Sequence, residues 1–263
     1  MTSSNFKQRL LAGDRLYGTM LTLPCPSIAE ILAGTGFDWL FLDGEHGPLE
    51  TAETLAILQA VSQRIACLVR VPSASETSIK KVLDLGAHGV IVPQVNSAEQ
   101  AEQIVQWCKY PPQGTRGVGL ARAHGYGQAF SEYVENANDQ TLVVIQAEHR
   151  DAVKNIDEIT KVKGVDAILL GPYDLSASLN KTGQIRDPEV VQAIETICNA
   201  SRKAGLPLGS FGVTPGAVHL DIERGVTLIC AGTDSLFLGN SAAEMLAEIR
   251  PKLPADKSAT QDD

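Results

Sequence analysis

Residues 65–93, IACLVRVPSASETSIKKVLDLGAHGVIVP, contain the strand–helix–strand unit that decides the fold. Residues 65–71 and 89–93 are short, almost continuous apolar runs, and residues 75–85 between them carry apolar side chains at helical spacing. Continuous apolar strands separated by amphipathic helices are typical of a parallel sheet that is covered on both faces. This stretch therefore predicts an α/β protein.

The same alternation extends along the whole chain. We predict further strands at 17–23, 37–43, 141–147, 166–171, 207–212 and 226–231, and further helices at 26–35, 50–62, 97–108, 150–161, 187–204, 215–224 and 235–250. Eight such units over about 250 residues favour a single-domain (β/α)8 TIM barrel over an open doubly wound sheet. No GxGxxG motif opens the first helix, which argues against a dinucleotide-binding fold.

Two segments depart from this rhythm. Residues 109–140 insert a glycine-rich loop before the fifth strand, where we also expect a short helix. A loop of this length is usually functional or mobile, although a simple excursion remains an alternative. We expect residues 254–263 to form a disordered tail. The predicted barrel domain is therefore residues 1–253.

The composition is that of a globular protein with an acidic balance. Among 263 residues, 22 Lys and Arg stand against 31 Asp and Glu, so the net charge is −9 and neither nucleic acid nor an anionic membrane is expected as a partner. No apolar run approaches the roughly 18 residues of a membrane span, and residues 1–16 lack the apolar core of a signal peptide. Five scattered cysteines without a CxxC pair indicate reduced thiols, so we expect a cytoplasmic protein.

Acidic side chains follow several of the predicted strands, at the barrel end where active sites lie. Glu148 and Asp174 are 26 positions apart, one strand–helix unit, so adjacent strands would bring both carboxylates to the same opening. Two neighbouring carboxylates repel unless a cation lies between them. Mg²⁺ or Mn²⁺ suits such oxygen ligands. The alternative is that Asp174 caps a helix and Glu148 is solvated.

Arg70 and His46 also follow predicted strands. A buried arginine needs an anion, so Arg70 either binds a substrate carboxylate or oxyanion, or pairs with an acid at a neighbouring strand end. His46 is either a general base near neutral pH or a packed loop residue. The predicted strands contain no lysine, which favours metal-based carbonyl chemistry over an imine mechanism. No organic cofactor is expected.

Several segments together resemble the HpcH/HpaI aldolase family of metal-dependent pyruvate aldolases: FDWLFLDGEHGPLE (37–50), RVP (70–72), KKVLDLGAHGVIVPQV (80–95), YPPQGTRGVG (110–119), VIQAEHRDAVKNIDEI (144–159), GPYDLSASL (171–179) and LPLGSFG (206–212). The resemblance runs from about residue 17 to 240. It implies a (β/α)8 barrel that uses Mg²⁺, Mn²⁺ or Co²⁺. It also implies reversible cleavage of 4-hydroxy-2-oxo acids to an aldehyde and pyruvate, or a related 2-oxo acid such as hydroxypyruvate, through a metal-stabilised enolate.

The resemblance assigns binding roles to four residues of the segments 144–159 and 171–179. It implies that Glu148 and Asp174 bind the metal, that Gln146 contacts the bound 2-oxo acid, and that the backbone at Tyr173 meets its carboxylate. Tyr173 occupies a position that a small residue often holds in this family. A ring there would narrow the choice of aldehyde without removing the backbone contact.

The resemblance also assigns three catalytic residues: Arg70 stabilises the enolate oxygen, His46 transfers protons, and Asp84 raises the basicity of this histidine. Asp84 lies near the C-terminal end of the predicted helix 75–85, so in one barrel it lies at the opposite end from His46. This placement is compatible with the role from the resemblance if Asp84 and His46 come from different subunits of a homo-oligomer. The resemblance implies a hexamer, and the active sites would then lie at subunit interfaces. Alternatives are a related metal-dependent lyase acting on a coenzyme-A thioester and a non-catalytic 2-oxo-acid-binding protein.

Overall fold

The computed structural model describes residues 5–250, and its eight strands close into one parallel barrel in chain order, with β1 also paired to β8. The strands are β1 Leu16–Leu21, β2 Trp39–Asp43, β3 Ala66–Arg70, β4 Gly89–Val92, β5 Leu142–Ala147, β6 Ala167–Leu170, β7 Leu208–Gly212 and β8 Leu228–Thr233. The predicted (β/α)8 TIM barrel is confirmed. The proposed tail, 254–263, lies outside the described residues, and the domain limits 1–253 stay a prediction.

The helices follow the predicted alternation, with differences at α1 and at the predicted helix 150–161. They are α1 Phe6–Leu11, α2 Pro26–Ala33, α3 Thr51–Val61, α4 Glu76–Asp84, α5 Ala98–Cys108, α6 Phe130–Gln140, α7 Arg150–Lys154, α8 Ile156–Ile159, α9 Pro172–Ser178, α10 Pro188–Ala204, α11 Pro215–Glu223 and α12 Asp234–Ile249. Sequence reasoning missed α1. The helix anticipated near Tyr173 and Asp174 is present as α9, and the predicted helix 150–161 is divided into α7 and α8. No helix in the described range 5–250 is long and apolar enough to cross a membrane.

Strand alternation explains how the barrel changes from an apolar interior to a polar opening. Trp39 and Phe41 of β2 belong to the apolar cluster inside the barrel, and the next residue on the same face is Asp43. On β3, Leu68 is followed in the same way by Arg70. Asp43 and Arg70 are register partners on neighbouring strands. The inward rows are therefore apolar at their beginning and charged at the carboxyl ends of the strands.

The amino-terminal end of the barrel is closed by aromatic packing. Phe6 and Leu10 of α1 are buried against the inner cluster, and the Phe6 ring lies 6.4 Å from that of Trp39. Gly18 makes room for this plug, since a Cβ there would lie 2.5 Å from the Trp39 indole. Within residues 5–250, this packing closes the interior of the barrel at its amino-terminal end, so a ligand would enter the interior from the opposite end.

The inserted segment forms a 3₁₀ turn at Arg122–Gly127 followed by α6. The expected helix is therefore present and, at 11 residues, is as long as α5. All five cysteines are free, and four of them are buried.

The eighth barrel helix, α12, does not pack like the others. Apart from Asp234 at its start, its side chains are exposed in the single chain. The exposed apolar residues on it are Leu236, Phe237, Leu238, Met245, Leu246 and Ile249. Ile31 on α2 and Leu220 on α11 are also more than half exposed. An apolar surface of this kind usually marks a protein–protein contact.

Candidate active site

A cavity of about 310 Å³ lies at the carboxyl ends of the strands. Its lining combines an apolar floor with charged and amide groups: Met20, Phe41, Asp43, His46, Arg70, Gln146, Leu169, Leu170, Gly171, Pro172, Tyr173, Asp174 and Phe211. A larger cavity of about 670 Å³ is bordered by His88 and Thr141, which precede β4 and β5. It therefore lies at the opposite end of the barrel, away from the position of active sites in this fold.

Asp43 holds Arg70 in one orientation at the base of the cavity. The guanidinium donates through Nε to Oδ1 at 2.9 Å and through Nη2 to Oδ2 at 2.8 Å, a bidentate pair between two buried side chains. Burial by itself raises the pKa of Asp43, but the hydrogen bonds and charge of Arg70 hold that pKa below its usual value. Of the two alternatives for Arg70, the ion pair is therefore present.

The ion pair does not use all of the guanidinium, because Nη1 points to a second acid. Arg70 Nη1 lies 3.2 Å from Glu45 Oε2. Burial raises the pKa of Glu45, and the charge of Arg70 opposes that rise. The guanidinium remains part of the cavity lining. Asp43 and Glu45 therefore orient Arg70 while its charge still faces a ligand.

His46 stands on the loop that follows β2. Its backbone N–H donates to Asp43 Oδ1 at 3.2 Å, which ties the loop to the arginine pair. The imidazole is 67% exposed, with Nε2 at 3.8 Å from Glu45 Oε2. A histidine placed this way lines the cavity opening and is free to exchange protons with a ligand or with water, so it is not a packed loop residue.

Gln146, near the end of β5, lines the cavity, and the buried Glu148, which follows β5, lies beside it. Gln146 Nε2 donates to Glu148 Oε2, and the backbone N–H of Gln94 donates to Glu148 Oε1 at 2.8 Å. Gln94 adopts a φ of 57°, in the left-handed region that side chains rarely occupy. Gly171 is required beside them, since a Cβ there would lie 2.6 Å from the Cβ of Glu148.

Asp174 and Tyr173 are brought to the opening by α9. Gly171 is the N-cap of this helix, so the alternative that Asp174 caps it is wrong. Asp174 lies in the first turn, where a carboxylate is favoured by the helix dipole. Tyr173 is 57% exposed at the rim of the cavity. Its backbone N–H lies in the first turn of α9, where N–H groups have no carbonyl partner within the helix.

The charges around Glu148 fit a divalent cation. Burial raises the pKa of Glu148 to about 7, and the negative charges of Asp174 and Glu45 add to the rise. The buried Oε1 of Gln146 has no hydrogen-bond partner among the described residues. Within residues 5–250, no cluster of three or more His, Cys, Asp or Glu side chains has metal-binding geometry. Two carboxylates with water and a substrate would be typical of Mg²⁺ rather than of a closed zinc site.

Lysine is absent from all eight strands of the described chain, as expected. Sequence reasoning missed one buried lysine, Lys109, whose Nζ donates to the carbonyl oxygens of Asn138 at 2.6 Å and Thr141 at 2.9 Å. Burial lowers its pKa to about 8, and neighbouring Lys7 contributes. Thr141 precedes β5, so this amine lies at the amino-terminal end of the barrel, away from the candidate site.

Asp84 ends α4 and lies at the same amino-terminal end as Lys109. Its carboxylate receives a hydrogen bond from Arg116 Nη2 at 2.7 Å. The helix placement inferred from the sequence therefore holds, and within one chain Asp84 is at the opposite end of the barrel from His46. A catalytic role for Asp84 with this histidine requires a second copy of the chain and stays a prediction.

Two further strand-end residues have structural roles. Asp234 is buried and accepts the backbone N–H groups of Thr22 and Leu23, which joins the ends of β1 and β8. His149 is the N-cap of α7, where its ring accepts the backbone N–H of Asp151. These contacts account for both residues without a ligand.

The strand-end acid left open as a partner of Arg70 is Asp43. Contributors that sequence reasoning missed include Glu45 beside Arg70, Gln94 as a donor to Glu148, and Phe211 on the cavity wall. The alternation along β2 was sufficient to find Asp43, because it shares a face with Trp39 and Phe41. The N–H of Gln94 carries no side-chain signal and depends on a backbone conformation that only the structure shows.

Known proteins resemble this chain over nearly its whole length. The sequence model of the HpcH/HpaI aldolase/citrate lyase family matches residues 17–238. A hydroxypyruvate/pyruvate aldolase of Deinococcus radiodurans is 41% identical over 253 residues, which are 95% of this chain and 91% of that protein. A 4-hydroxy-2-oxovalerate aldolase of Rhodococcus jostii is 38% identical over 93% of this chain and 95% of that protein. The crystal structure of an HpcH/HpaI aldolase/citrate lyase family protein from Burkholderia cenocepacia has a TM-score of 0.91 and 33% identity, covering 94% of this chain and 99% of that one.

Proposed function

This chain belongs to the HpcH/HpaI aldolase/citrate lyase family and is an aldolase, a carbon–carbon lyase, and we propose that it reversibly cleaves 4-hydroxy-2-oxo acids to an aldehyde and pyruvate or hydroxypyruvate. The observation that carries the proposal is the meeting of Arg70, His46 and Asp174 around one cavity that Gln146 also lines, with Glu148 hydrogen-bonded to Gln146. These groups match the charges that develop when a bond beside a 2-oxo acid breaks.

Glu148 and Asp174 are the proposed holders of a divalent cation, Mg²⁺, Mn²⁺ or Co²⁺. When bound, such an ion supplies Lewis acidity toward the oxygens of a 2-oxo acid. The uncompensated charge at Glu148 and the unpartnered Oε1 of Gln146 support this assignment. Gln146 would contact the 2-oxo acid, and the backbone N–H at Tyr173 would meet its carboxylate.

His46 transfers protons in the proposed reaction, and Arg70 stabilises the negative charge that develops. In cleavage, His46 takes the proton of the 4-hydroxyl, directly or through water, and the C3–C4 bond breaks to release the aldehyde. The electron pair of that bond becomes an enolate, whose oxygen is stabilised by the fixed charge of Arg70. Return of the proton to C3 completes pyruvate, and synthesis follows the same steps in reverse.

The aldehyde would leave through the opening beside Tyr173. Met20 and Phe211 contribute apolar wall there, and the exposed Tyr173 ring stands at the rim. A bulky side chain at this point would favour small aldehydes in the synthetic direction, so Tyr173→Ala is expected to widen the range of aldehydes accepted.

The assay that tests the function measures pyruvate or hydroxypyruvate released from 4-hydroxy-2-oxo acids, and aldol formation from the same 2-oxo acids, with each divalent ion in turn. We expect turnover in both directions. Cleavage of a coenzyme-A thioester without release from any 4-hydroxy-2-oxo acid would contradict the proposal and favour the related thioester lyase.

We also propose that the protein is a homo-oligomer, a hexamer, with active sites between subunits. The exposed apolar side chains of α12, and those of Ile31 and Leu220, support contact with another copy. The separation of Asp84 from His46 within one chain supports a shared site.

Mixing two inactive variants tests the shared site. His46→Ala and Asp84→Ala subunits should each be weak alone. After co-refolding, a fraction of sites combines the intact histidine of one chain with the intact aspartate of another, so activity should recover. Mixed oligomers that form without recovery would show that Asp84 does not act across the interface.

A further inference from the structure

Arg116, in the YPPQGTRGVG segment, is a fully buried charge that the proposed reaction does not use. Its guanidinium lies 4.5 Å from the centroid of the Tyr110 ring and 5.9 Å from that of Tyr133. The Tyr133 hydroxyl lies 3.4 Å from both Nη1 and Nη2. Cation–π contacts with two rings, together with the hydroxyl contact, restrict the orientation of the arginine.

Among the described residues, the carboxylate that Arg116 meets is that of Asp84, at 2.7 Å from Nη2 to Oδ1. Asp84 is the last residue of α4. A helix C-terminus disfavours a negative charge, because the helix dipole is negative there. The Asp84 side chain nevertheless stays 29% exposed while Arg116 is 0% exposed. The ion pair therefore presents an accessible carboxylate in a fixed orientation, instead of burying it.

The free-energy cost of burying Arg116 is high for a contact with a structural role alone. The buried Nε of Arg116 has no hydrogen-bond partner among the described residues. Burying a guanidinium costs desolvation free energy, and one hydrogen bond to a partly exposed carboxylate offsets only part of that cost. An unsatisfied buried donor makes the balance worse. The contact is better explained by what it does to Asp84.

We propose that Arg116 is a positioning residue that, clamped by Tyr110 and Tyr133, holds the Asp84 carboxylate ready for the His46 imidazole of a second copy of the chain. This inference rests on the proposed function, in which Asp84 acts across the interface. An exposed aspartate that is free to change rotamer would meet the imidazole for a fraction of the time. A pinned carboxylate lowers the loss of side-chain freedom when the two subunits complete the site.

The test is Arg116→Lys, measured in the wild-type and in the Asp84→Asn background. Lysine keeps the charge but loses the planar fork and the stacking. We expect kcat to fall about tenfold, with KM for the 2-oxo acid within about twofold, because the residues that bind this substrate are untouched. In the Asp84→Asn background, Arg116→Lys should cause no further fall in kcat.

Arg122→Lys is the matched control. Arg122 also contacts the end of α4, where its Nη1 donates to the carbonyl oxygen of Leu85 at 2.7 Å. Unlike those of Arg116, its described hydrogen bonds are to backbone carbonyls and not to Asp84. We expect it to lower thermal stability without changing kcat. If Arg116→Lys does not fold, Tyr133→Phe replaces it, since it removes one hydroxyl contact from the guanidinium, and it should lower kcat in the wild-type background alone.

The outcomes separate the inference from the function on which it rests. An equal fall in kcat with and without Asp84, or no fall beyond that of Arg122→Lys, overturns the positioning role and leaves the function standing. Unchanged kcat in Asp84→Asn itself overturns the action of Asp84 across the interface, and the inference with it.

Discussion

Replacement of Asp43 by asparagine removes one charge from the pair that orients Arg70. Both side chains are almost fully buried, at 3% and 8% exposed, and they share hydrogen bonds of 2.8 and 2.9 Å. Breaking a buried ion pair costs about 3–5 kcal/mol. Asparagine retains an oxygen for the N–H groups of Glu45 and His46, and Glu45 still faces the guanidinium. We therefore expect the lower end of that range, about 3 kcal/mol.

Two assays follow this change. The unfolding temperature should fall by about 6–12 °C, at the 2–4 °C per kcal/mol typical of a chain of this size. In the cleavage assay, kcat should fall about 10²-fold, because a small displacement of Arg70 removes charge from the place where the enolate develops. The lost positioning acts on the reaction step, so KM should change less than kcat.

Asp38→Asn is the matched control for Asp43→Asn. Asp38 also pairs with an arginine, since Arg9 Nη1 lies 2.9 Å from Oδ1, and it immediately precedes β2 at the amino-terminal end of the barrel. Its pair is partly exposed, so the loss should be about 1 kcal/mol or less, with kcat unchanged. A destabilised Asp43→Asn enzyme that turns over at the wild-type rate would refute the reasoning, since the pair would then serve folding alone.

Three further predictions concern charge, metal and pH. Arg70→Lys should lower kcat about 10²-fold in the cleavage assay, since a point charge does not replace a planar fork; a raised KM with normal kcat would assign Arg70 to substrate binding. A chelator should abolish turnover, with recovery when Mg²⁺, Mn²⁺ or Co²⁺ is restored, and borohydride with pyruvate should leave no adduct by mass spectrometry; a trapped lysine would overturn metal-based chemistry. Burial lowers the pKa of His88 from about 6.5 to about 4. Between these pH values the unfolded chain binds a proton at His88 that the folded chain does not. The free energy of unfolding should therefore fall by up to about 3 kcal/mol as the pH drops from 6.5 to 4. His88→Asn, which keeps an acceptor for the Cys67 N–H, should flatten that loss in denaturant titrations, and parallel curves for the two proteins would contradict it.

The local pattern of the sequence was sufficient for the barrel and for much of the site. Eight apolar strands with intervening amphipathic helices can bury their surfaces in very few ways, and a closed parallel sheet is one of them. Because active sites in such a barrel lie at the carboxyl ends of strands, Arg70, Glu148 and Asp174 could be selected from their positions alone. His46 was also found from its position after a strand, and the family motifs then added Gln146, Tyr173 and Asp84.

Contacts between distant segments were decided by the tertiary structure. The pairing of Arg70 with Asp43, the N–H of Gln94 at Glu148 and the burial of Lys109 depend on how the strands register and how the inserted segment folds back. The same is true of the exposed side chains along α12. Sequence periodicity reports which face of an element is buried, because that depends on neighbours a few positions away. It does not report which charged side chains pair with each other, because that depends on the closure of the whole barrel.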